Sequence, residues 1–409
     1  MSSLDEILKE FPPGVRQVVE PVYAGLSADK QRQLGEMLRW LRGTDAKGVR
    51  QLLDLVMAQY RPLAGSKERI AIVGPVNTGK SALYNQFVQS EQDRAAVGPV
   101  PGTTRASQEA DAGLFVVVDT PGADAYGPVG QAEKRAAFAA ARSADLLIMV
   151  FDVAKGISGP DRQLYDDLVA LGKPYVVVLN KIDLIADRDR PAVVTTAAQN
   201  LGPGMTPNQV IATSATQGEN VGQVLLAAAK AEPQLLLAIG RALPAYRYQL
   251  AWPRVLQAAA AAGTIALMPL PVATFVPLVT LQAGLILNIA GIYGYPLTVQ
   301  RARELVATFG AGFGARMLFQ QLSEAVPVAG WVLSAAIASS TTAAMGYAAI
   351  QWFDRGQKVS SQAMRALAEE WTRGVVAGLR SLGRRRPGRQ TLRSRLEETL
   401  DQVTRGGRR

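Results

Sequence analysis

Four largely apolar runs, Ile70–Val73, Leu114–Val118, Tyr175–Leu179 and Gln209–Thr213, recur through the middle of the chain, each ending in glycine or polar residues. Short continuous apolar runs bounded in this way read as buried parallel strands rather than half-exposed ones. The first 65 residues follow a different period. Leu34, Met37, Leu38 and Leu41, then Val49, Leu52, Leu53, Val56 and Met57, recur at a spacing of three to four. That period places them on one face of each of two helices. Ser27-Ala28-Asp29-Lys30 is a helix start and Gly43-Thr44-Asp45 a break, so the segment predicts a helical hairpin packed on, or preceding, the strand-bearing region.

Beyond residue 235 the pattern changes again. No Asp, Glu, Lys or Arg occurs between Arg254 and Arg301, and a second uncharged run, Ala325–Phe353, is rich in Ala, Gly, Ser and Thr. Val272–Tyr293 and Val328–Gln351 are long enough to cross a hydrocarbon layer of about 30 Å. Small residues such as Ala335, Ala336, Ser339, Ala343 and Ala344 would let helices approach closely in lipid. Val255–Met268, stopped by Pro269-Leu270-Pro271, is too short for a span and reads as interfacial, re-entrant or half of a broken hairpin. A buried all-α domain is the alternative for the whole region.

Charge adds a direction. The chain carries a formal net charge of +10, and from Arg373 onward eleven Arg face only Glu397, Glu398 and Asp401. Basic flanks stay on the cytoplasmic side, so an even number of crossings is expected, with both termini cytosolic. Arg384-Arg385-Arg386 would then lie along anionic lipid. At 409 residues, two or three domains are expected. The chain has no Cys and no His, which excludes disulfides, thiolate metal sites, a Cys nucleophile and a His base. Met1–Glu6 shows no basic region followed by an apolar run, so no cleavable signal peptide is expected.

The chemistry sits at the ends of the apolar runs. Gly74-Pro75-Val76-Asn77-Thr78-Gly79-Lys80-Ser81 fits the phosphate-binding loop GxxxxGK[ST] directly after Ile70–Val73. Glycines let consecutive N–H groups point at phosphates, Lys80 adds charge near the β/γ-phosphates, and the Ser81 hydroxyl can ligate Mg²⁺. Gly74, Asn77, Thr78, Gly79, Lys80, Ser81 and Ala82, at the start of the following helix, form the candidate cradle. Asn180-Lys181-Ile182-Asp183 closes Tyr175–Leu179. A carboxylate at Asp183 accepts from both N1–H and N2–H₂ of guanine, a pair of donors adenine lacks. Asn180 would brace that loop and the Lys181 stem would lie over the base. Asp119-Thr120-Pro121-Gly122 closes Leu114–Val118: Asp119 would hold Mg²⁺ through water, and the Gly122 N–H would sense the γ-phosphate. Thr104, in Pro101-Gly102-Thr103-Thr104-Arg105, is the candidate second protein ligand of Mg²⁺ on a switch loop. Ser214-Ala215-Thr216 would meet the guanine O6 through backbone N–H. The expected ligands are GTP or GDP with Mg²⁺.

These boxes, in this order, resemble the GTPases of the group that includes TrmE, Era and EngA (Der), over residues 68–232. The resemblance implies a doubly wound α/β P-loop GTPase with a mostly parallel sheet. Ala123 stands where Ras-like enzymes carry a water-orienting Gln. In TrmE-like members an Asn three residues before the loop lysine helps bind K⁺, and here that residue is Asn77. Slow intrinsic hydrolysis with K⁺ stimulation is therefore expected, with Lys80, Thr104, Gly122 and Asn77 as the catalytic candidates. Residues 255–355 also resemble the C-terminal domain of YcjF-type membrane proteins, through Pro269–Val272, Ile292–Tyr295, Arg303–Leu305, Gly312–Arg316 and the run ending at Phe353–Arg355.

The expected organisation is an N-terminal helical segment (1–65), a GTP-binding domain (66–235), a C-terminal all-α hydrophobic membrane domain (236–355) and a basic helical or disordered cytoplasmic tail (356–409). The function expected is a membrane-anchored GTP switch, with self-association through the membrane domain. GTP-gated transport, a ribosome- or RNA-binding GTPase and a dynamin-like remodeller are the alternatives. No basic platform interleaved with aromatics stands out, so nucleic acid is not an expected partner.

Overall fold

The computed structural model describes residues 26–41, 46–64, 67–89, 114–120, 128–267, 275–296, 298–300, 302–305, 330–380 and 387–406, with a few isolated positions besides. Two compact units emerge: one within residues 66–250, the other built from residues 1–65 and 251–409.

The first unit is an α/β layer structure. Strands β1 (Ile70–Pro75), β2 (Phe115–Thr120), β3 (Leu146–Asp152), β4 (Tyr175–Asn180) and β5 (Val210–Thr213) form one sheet in the order β2-β1-β3-β4-β5. All four pairings are parallel. The central strand β3 is buried along its whole length, as a strand covered on both faces must be. Its alternate residues Leu147, Met149 and Phe151 join Ala71, Val73, Val177 and Leu179 in one core. That core is closed by α4 (Pro128–Ser143), α5 (Gly159–Val169) and α6 (Arg190–Leu201), through Ala137, Ala141, Tyr165, Leu168, Ala197 and Leu201. Helix α5 starts sharply because Ser158 and Asp161 form a reciprocal capping box. Helices α3 (Lys80–Gln89) and α7 (Val221–Ala231) pack together and bury Leu83, Phe87, Val224 and Leu225. The compact unit runs past residue 235, to Leu250. The reason is apolar: Leu236, Ile239 and Leu243, in and after α8 (Leu236–Ala242), are buried, and the Arg247 Nε donates to the Gly240 carbonyl at 2.8 Å.

The second unit is all helix: α1 (Ala28–Trp40), α2 (Ala46–Tyr60), α9 (Arg247–Ile265, from residue 251), α10 (Phe275–Ile292), α11 (Gly330–Arg355), α12 (Ser361–Arg380) and α13 (Arg389–Gly406). Helix α10 is buried almost all round from Leu281 to Ile292, and α1, α2 and α11 pack against it. At Gly284 a Cβ would stand 2.9 Å from Tyr60 Cε2 and 3.0 Å from Gln59 Cβ, so only glycine lets α2 this close. The same contact is tied by polar bonds. The Tyr60 hydroxyl donates to Gln33 Oε1 at 2.9 Å and to the Thr280 carbonyl at 3.2 Å, and Asn288 Nδ2 donates to the Gln59 carbonyl at 2.6 Å. Burial pushes the Tyr60 hydroxyl well above the ordinary tyrosine range, which keeps it a donor. Arg254 Nη2 caps the Ala58 carbonyl in the last turn of α2. Helix α12 turns Met364, Ala368, Trp371, Val375 and Leu379 inward, and Trp371 meets Trp252 and Tyr347 edge-on. Leu392, Leu396 and Leu400 repeat every fourth residue as the buried seam of α13.

Among the described residues one helix, Gly330–Arg355, is long and apolar enough to cross a membrane, and 89% of its apolar window is buried within the protein. Val276–Ile292 is apolar and shorter. The segment read as too short to span is part of α9, a helix that continues through Pro253. Pro269–Val272, Gly312–Arg316 and Arg384–Arg386 lie outside the described residues.

Candidate functional site

In the order β2-β1-β3-β4-β5, successive connections leave β1 toward β2 on one side and toward β3 on the other. Such a reversal opens a crevice at the carboxyl ends of the strands. The loop Gly74–Ser81 rises there. Gly74 has φ 157°, and a Cβ on it would collide with the Val150 carbonyl of β3. Gly79 has φ 90°, where a Cβ would collide with the Asn180 amide. Both glycines of the loop are thus demanded by close approach. Asn77 takes a left-handed φ of 65° at the exposed tip. Thr78 Oγ1 closes the turn onto the Pro75 carbonyl at 3.0 Å. Lys80 is 3% exposed and donates from Nζ to the carbonyls of Gly74 (2.8 Å) and Pro75 (2.6 Å), which holds its ammonium inside the loop. The Leu83 N–H closes onto the Gly79 carbonyl at 2.9 Å, so the N–H groups of Lys80, Ser81 and Ala82 precede the intrahelical ladder. Ser81 is exposed in this first turn.

The base-reading loop follows β4. Asn180, 2% exposed, donates from Nδ2 to the Thr78 carbonyl at 2.9 Å. Its Oδ1 accepts from the Ala215 N–H at 3.0 Å and from Thr213 Oγ1 at 3.3 Å. One amide therefore joins the phosphate loop, β4 and the loop after β5. Of the Ser214-Ala215-Thr216 N–H groups expected to meet O6, that of Ala215 is engaged in this bracing and that of Ser214 with the Glu219 carbonyl. Lys181 is left-handed at φ 68° and donates to the Asn77 carbonyl at 2.7 Å and to Asp152 Oδ2 at 2.6 Å. Asp183 has one buried carboxylate oxygen, Oδ1, without a hydrogen-bond partner. A buried polar atom left unmatched costs about 1–3 kcal/mol, which a donor on a ligand would recover. Ser214 Oγ lies 3.0 Å from Thr216 Oγ1 and accepts from the Gln217 N–H at 3.2 Å. Arg190 steadies both loops, donating to the Ile185 carbonyl (3.1 Å) and to Glu219 Oε1 (2.9 Å).

The structure brings Gly74, Asn77, Thr78, Gly79, Lys80, Asn180, Lys181, Ser214 and Ala215 into one linked network. Asp119 is the β2 partner of Gly74 in register, at the carboxyl end of the sheet. Its backbone is therefore beside the phosphate loop. Thr104 and Gly122, with the loops that carry them, lie outside the described residues. Among the described residues no group of three or more Asp or Glu gathers to hold a metal. Ser81, exposed in the first turn of α3, carries the kind of hard oxygen that Mg²⁺ prefers. Sequence reasoning missed β3 and with it Asp152. The signal was there: an acid closing the apolar stretch Leu146–Phe151, as Asp119 and Asn180 close theirs.

Residues 69–181 match the family model described as "50S ribosome-binding GTPase". A GTPase Der from Psychrobacter arcticus is 37% identical over 129 residues, covering 30% of this chain and 27% of its own length. A tRNA modification GTPase MnmE from Synechococcus is 33% identical over 224 residues, covering 51% of this chain and 48% of its own. The chain thus spans between about a quarter and a half of these relatives. Among solved structures, Era in complex with MgGDPNP and a segment of 16S ribosomal RNA is 21% identical, covers 48% of this chain and 68% of its own, and gives a TM-score of 0.30.

Proposed function

We propose that the chain, whose residues 69–181 match a GTPase family model and resemble Der and MnmE, binds GTP and GDP, hydrolyses GTP slowly, and uses the difference as a molecular switch. The observation that carries the guanine reading is Asp183. Its buried, unmatched Oδ1 sits on a loop fixed to the phosphate loop through Asn180. Two acceptor oxygens there match the N1–H and N2–H₂ edge of guanine. Lys80 and the leading N–H groups of α3 supply positive charge to the phosphates. Ser81 and Asp119 would hold Mg²⁺, which when bound neutralises charge on the β- and γ-phosphates. Thr104 and Gly122 are the candidate residues for sensing the γ-phosphate. Turnover of GTP by the full chain, with no phosphate released from ATP, tests this reading; equal turnover of both nucleotides would overturn it. Asn77 is the candidate K⁺ contact, and equal GTPase rates in KCl and NaCl at matched ionic strength would remove that role.

A membrane seat for the second unit is supported by the length and composition of Gly330–Arg355 and by the resemblance of this region to YcjF-type domains. The burial of that helix is what a closed protein core would also show. Extraction decides between them: retention in the carbonate-washed membrane pellet supports the seat, and release into the supernatant overturns it. A ribosomal RNA partner is the second reading. It is favoured by the description of the matched family and the arginine-rich C-terminal region. The expectation that nucleic acid is no partner gains nothing from these relatives. Co-purification of rRNA that dissociates steeply with salt would support that reading.

A further inference from the structure

Asp152 ends the central strand and is paired in register with Asn180, the first residue of the base-reading loop. It is 4% exposed, so its carboxylate is taken almost wholly out of water. Both oxygens are used. Oδ1 accepts from the Ala154 N–H at 2.9 Å and fixes the turn after the strand. Oδ2 meets the Lys181 ammonium at 2.6 Å. The same ammonium reaches the Asn77 carbonyl at 2.7 Å.

Among the described residues, Asn77, Lys181 and Asn220 are the non-glycine residues with left-handed φ. Two of these three strained corners are therefore joined by one ammonium. Each such corner is costly for a residue with a Cβ and persists where its surroundings over-determine it. Asp152 supplies the over-determination. A buried carboxylate deprived of its cation is strongly unfavourable, so Lys181 is held over the loop instead of swinging into solvent. Its stem is thereby set before any base arrives.

Resting on the guanine-nucleotide reading above, we propose that Asp152 is a positioning residue of that site: through Lys181 and the Asn77 carbonyl it locks the base-reading loop to the phosphate loop. Both Asp152 oxygens are engaged by protein groups, so it acts on the site through Lys181. It acts by making two loops, more than a hundred residues apart in the chain, present one preformed surface. Preorganisation of this kind raises affinity by lowering the ordering cost at binding.

The test is a double-mutant cycle in the full chain, read by equilibrium and stopped-flow binding of a fluorescent GDP. Asp152→Asn keeps the Ala154 hydrogen bond through its remaining oxygen and removes the charge. Lys181→Met removes the ammonium and keeps the stem. Each single change is expected to weaken GDP roughly tenfold, mainly through faster dissociation. The double variant is expected to be no worse than Lys181→Met alone, because both remove one linkage. Asp152→Glu, which retains the charge, is expected to recover most of the affinity and guards against a variant that fails to fold. Independent, multiplying effects would overturn the proposal, as would unchanged GDP binding in Asp152→Asn. Failure of the unmodified chain to bind GDP is a distinct result, which removes the nucleotide reading itself.

Discussion

Asn180 and Thr78 are joined by a buried hydrogen bond of 2.9 Å, side-chain amide to backbone carbonyl, between loops that follow β4 and β1. Two further partners, Ala215 and Thr213, converge on the same side chain. Replacing Asn180 with Ala leaves a buried carbonyl, N–H and hydroxyl unmatched at once. Each unmatched group costs about 1–3 kcal/mol. Asn180→Ala is expected to lower the unfolding free energy of the α/β unit by about 3–5 kcal/mol, toward the lower end of three such penalties. Urea denaturation followed by far-UV circular dichroism measures it. A loss below about 0.5 kcal/mol, the scale of ordinary surface changes, would show that the amide does not brace the loops.

Asp183 offers acceptors only, which suits the donor edge of guanine. In Asp183→Asn one oxygen becomes an NH₂ group that opposes the guanine 2-amino group and matches the 2-keto oxygen of xanthine. The variant is expected to lose GDP affinity by roughly a hundredfold, equivalent to about 2.7 kcal/mol, and to gain affinity for xanthosine diphosphate. Competition titration of the two diphosphates reads both effects. Unaltered preference would mean that another residue reads the base.

Gly79 approaches the Asn180 amide too closely to carry a side chain, and its φ of 90° adds strain to any substitution. Gly79→Ala is therefore expected to displace the brace and weaken GDP binding more than tenfold. Gly156, with φ 68° and nothing within 4 Å of an added Cβ, is the control. Gly156→Ala is expected to cost only its local backbone strain, about 1 kcal/mol, with GDP affinity intact. Parallel calorimetric titrations compare them.

In the helical unit, Gly284→Leu forces α2 away from α10, because even a Cβ would meet Tyr60 at 2.9 Å. Overpacking of this kind costs about 1–3 kcal/mol. Thermal unfolding of the full chain is expected to shift downward. Near-ultraviolet circular dichroism is expected to lose part of the tyrosine signal as the Tyr60 bonds to Gln33 and Thr280 break. An unchanged melting curve would mean that the helices separate without cost.

The glycine-rich loop after β1 and its brace were legible because their geometry demands particular residues at particular places. Gly74 and Gly79 are required by collisions that any side chain would make, and Asn180 by the three hydrogen bonds its amide forms. Strand β3 carries no such signature. Leu146–Phe151 is a plain apolar stretch, so its closing Asp152 went unread although it sits one strand from Asn180. The helical faces of α1 and α2 were also legible from their period. Their partner was not, since periodicity tells which side of a helix is buried and not what covers it. That α2 ends against Gly284 and Asn288 of α10 depends on tertiary packing between residues more than two hundred positions apart.

The most direct test of a guanine-selective phosphate cradle is calorimetric titration of the full chain with GDP and with ADP, repeated on Lys80→Ala. The unmodified chain is expected to bind GDP in the micromolar range or tighter, about −8 kcal/mol or better, and to show no heat with ADP; Lys80→Ala is expected to lose GDP affinity at least a hundredfold. Equal binding of ADP, or GDP affinity unchanged by the loss of the Lys80 ammonium, would contradict it.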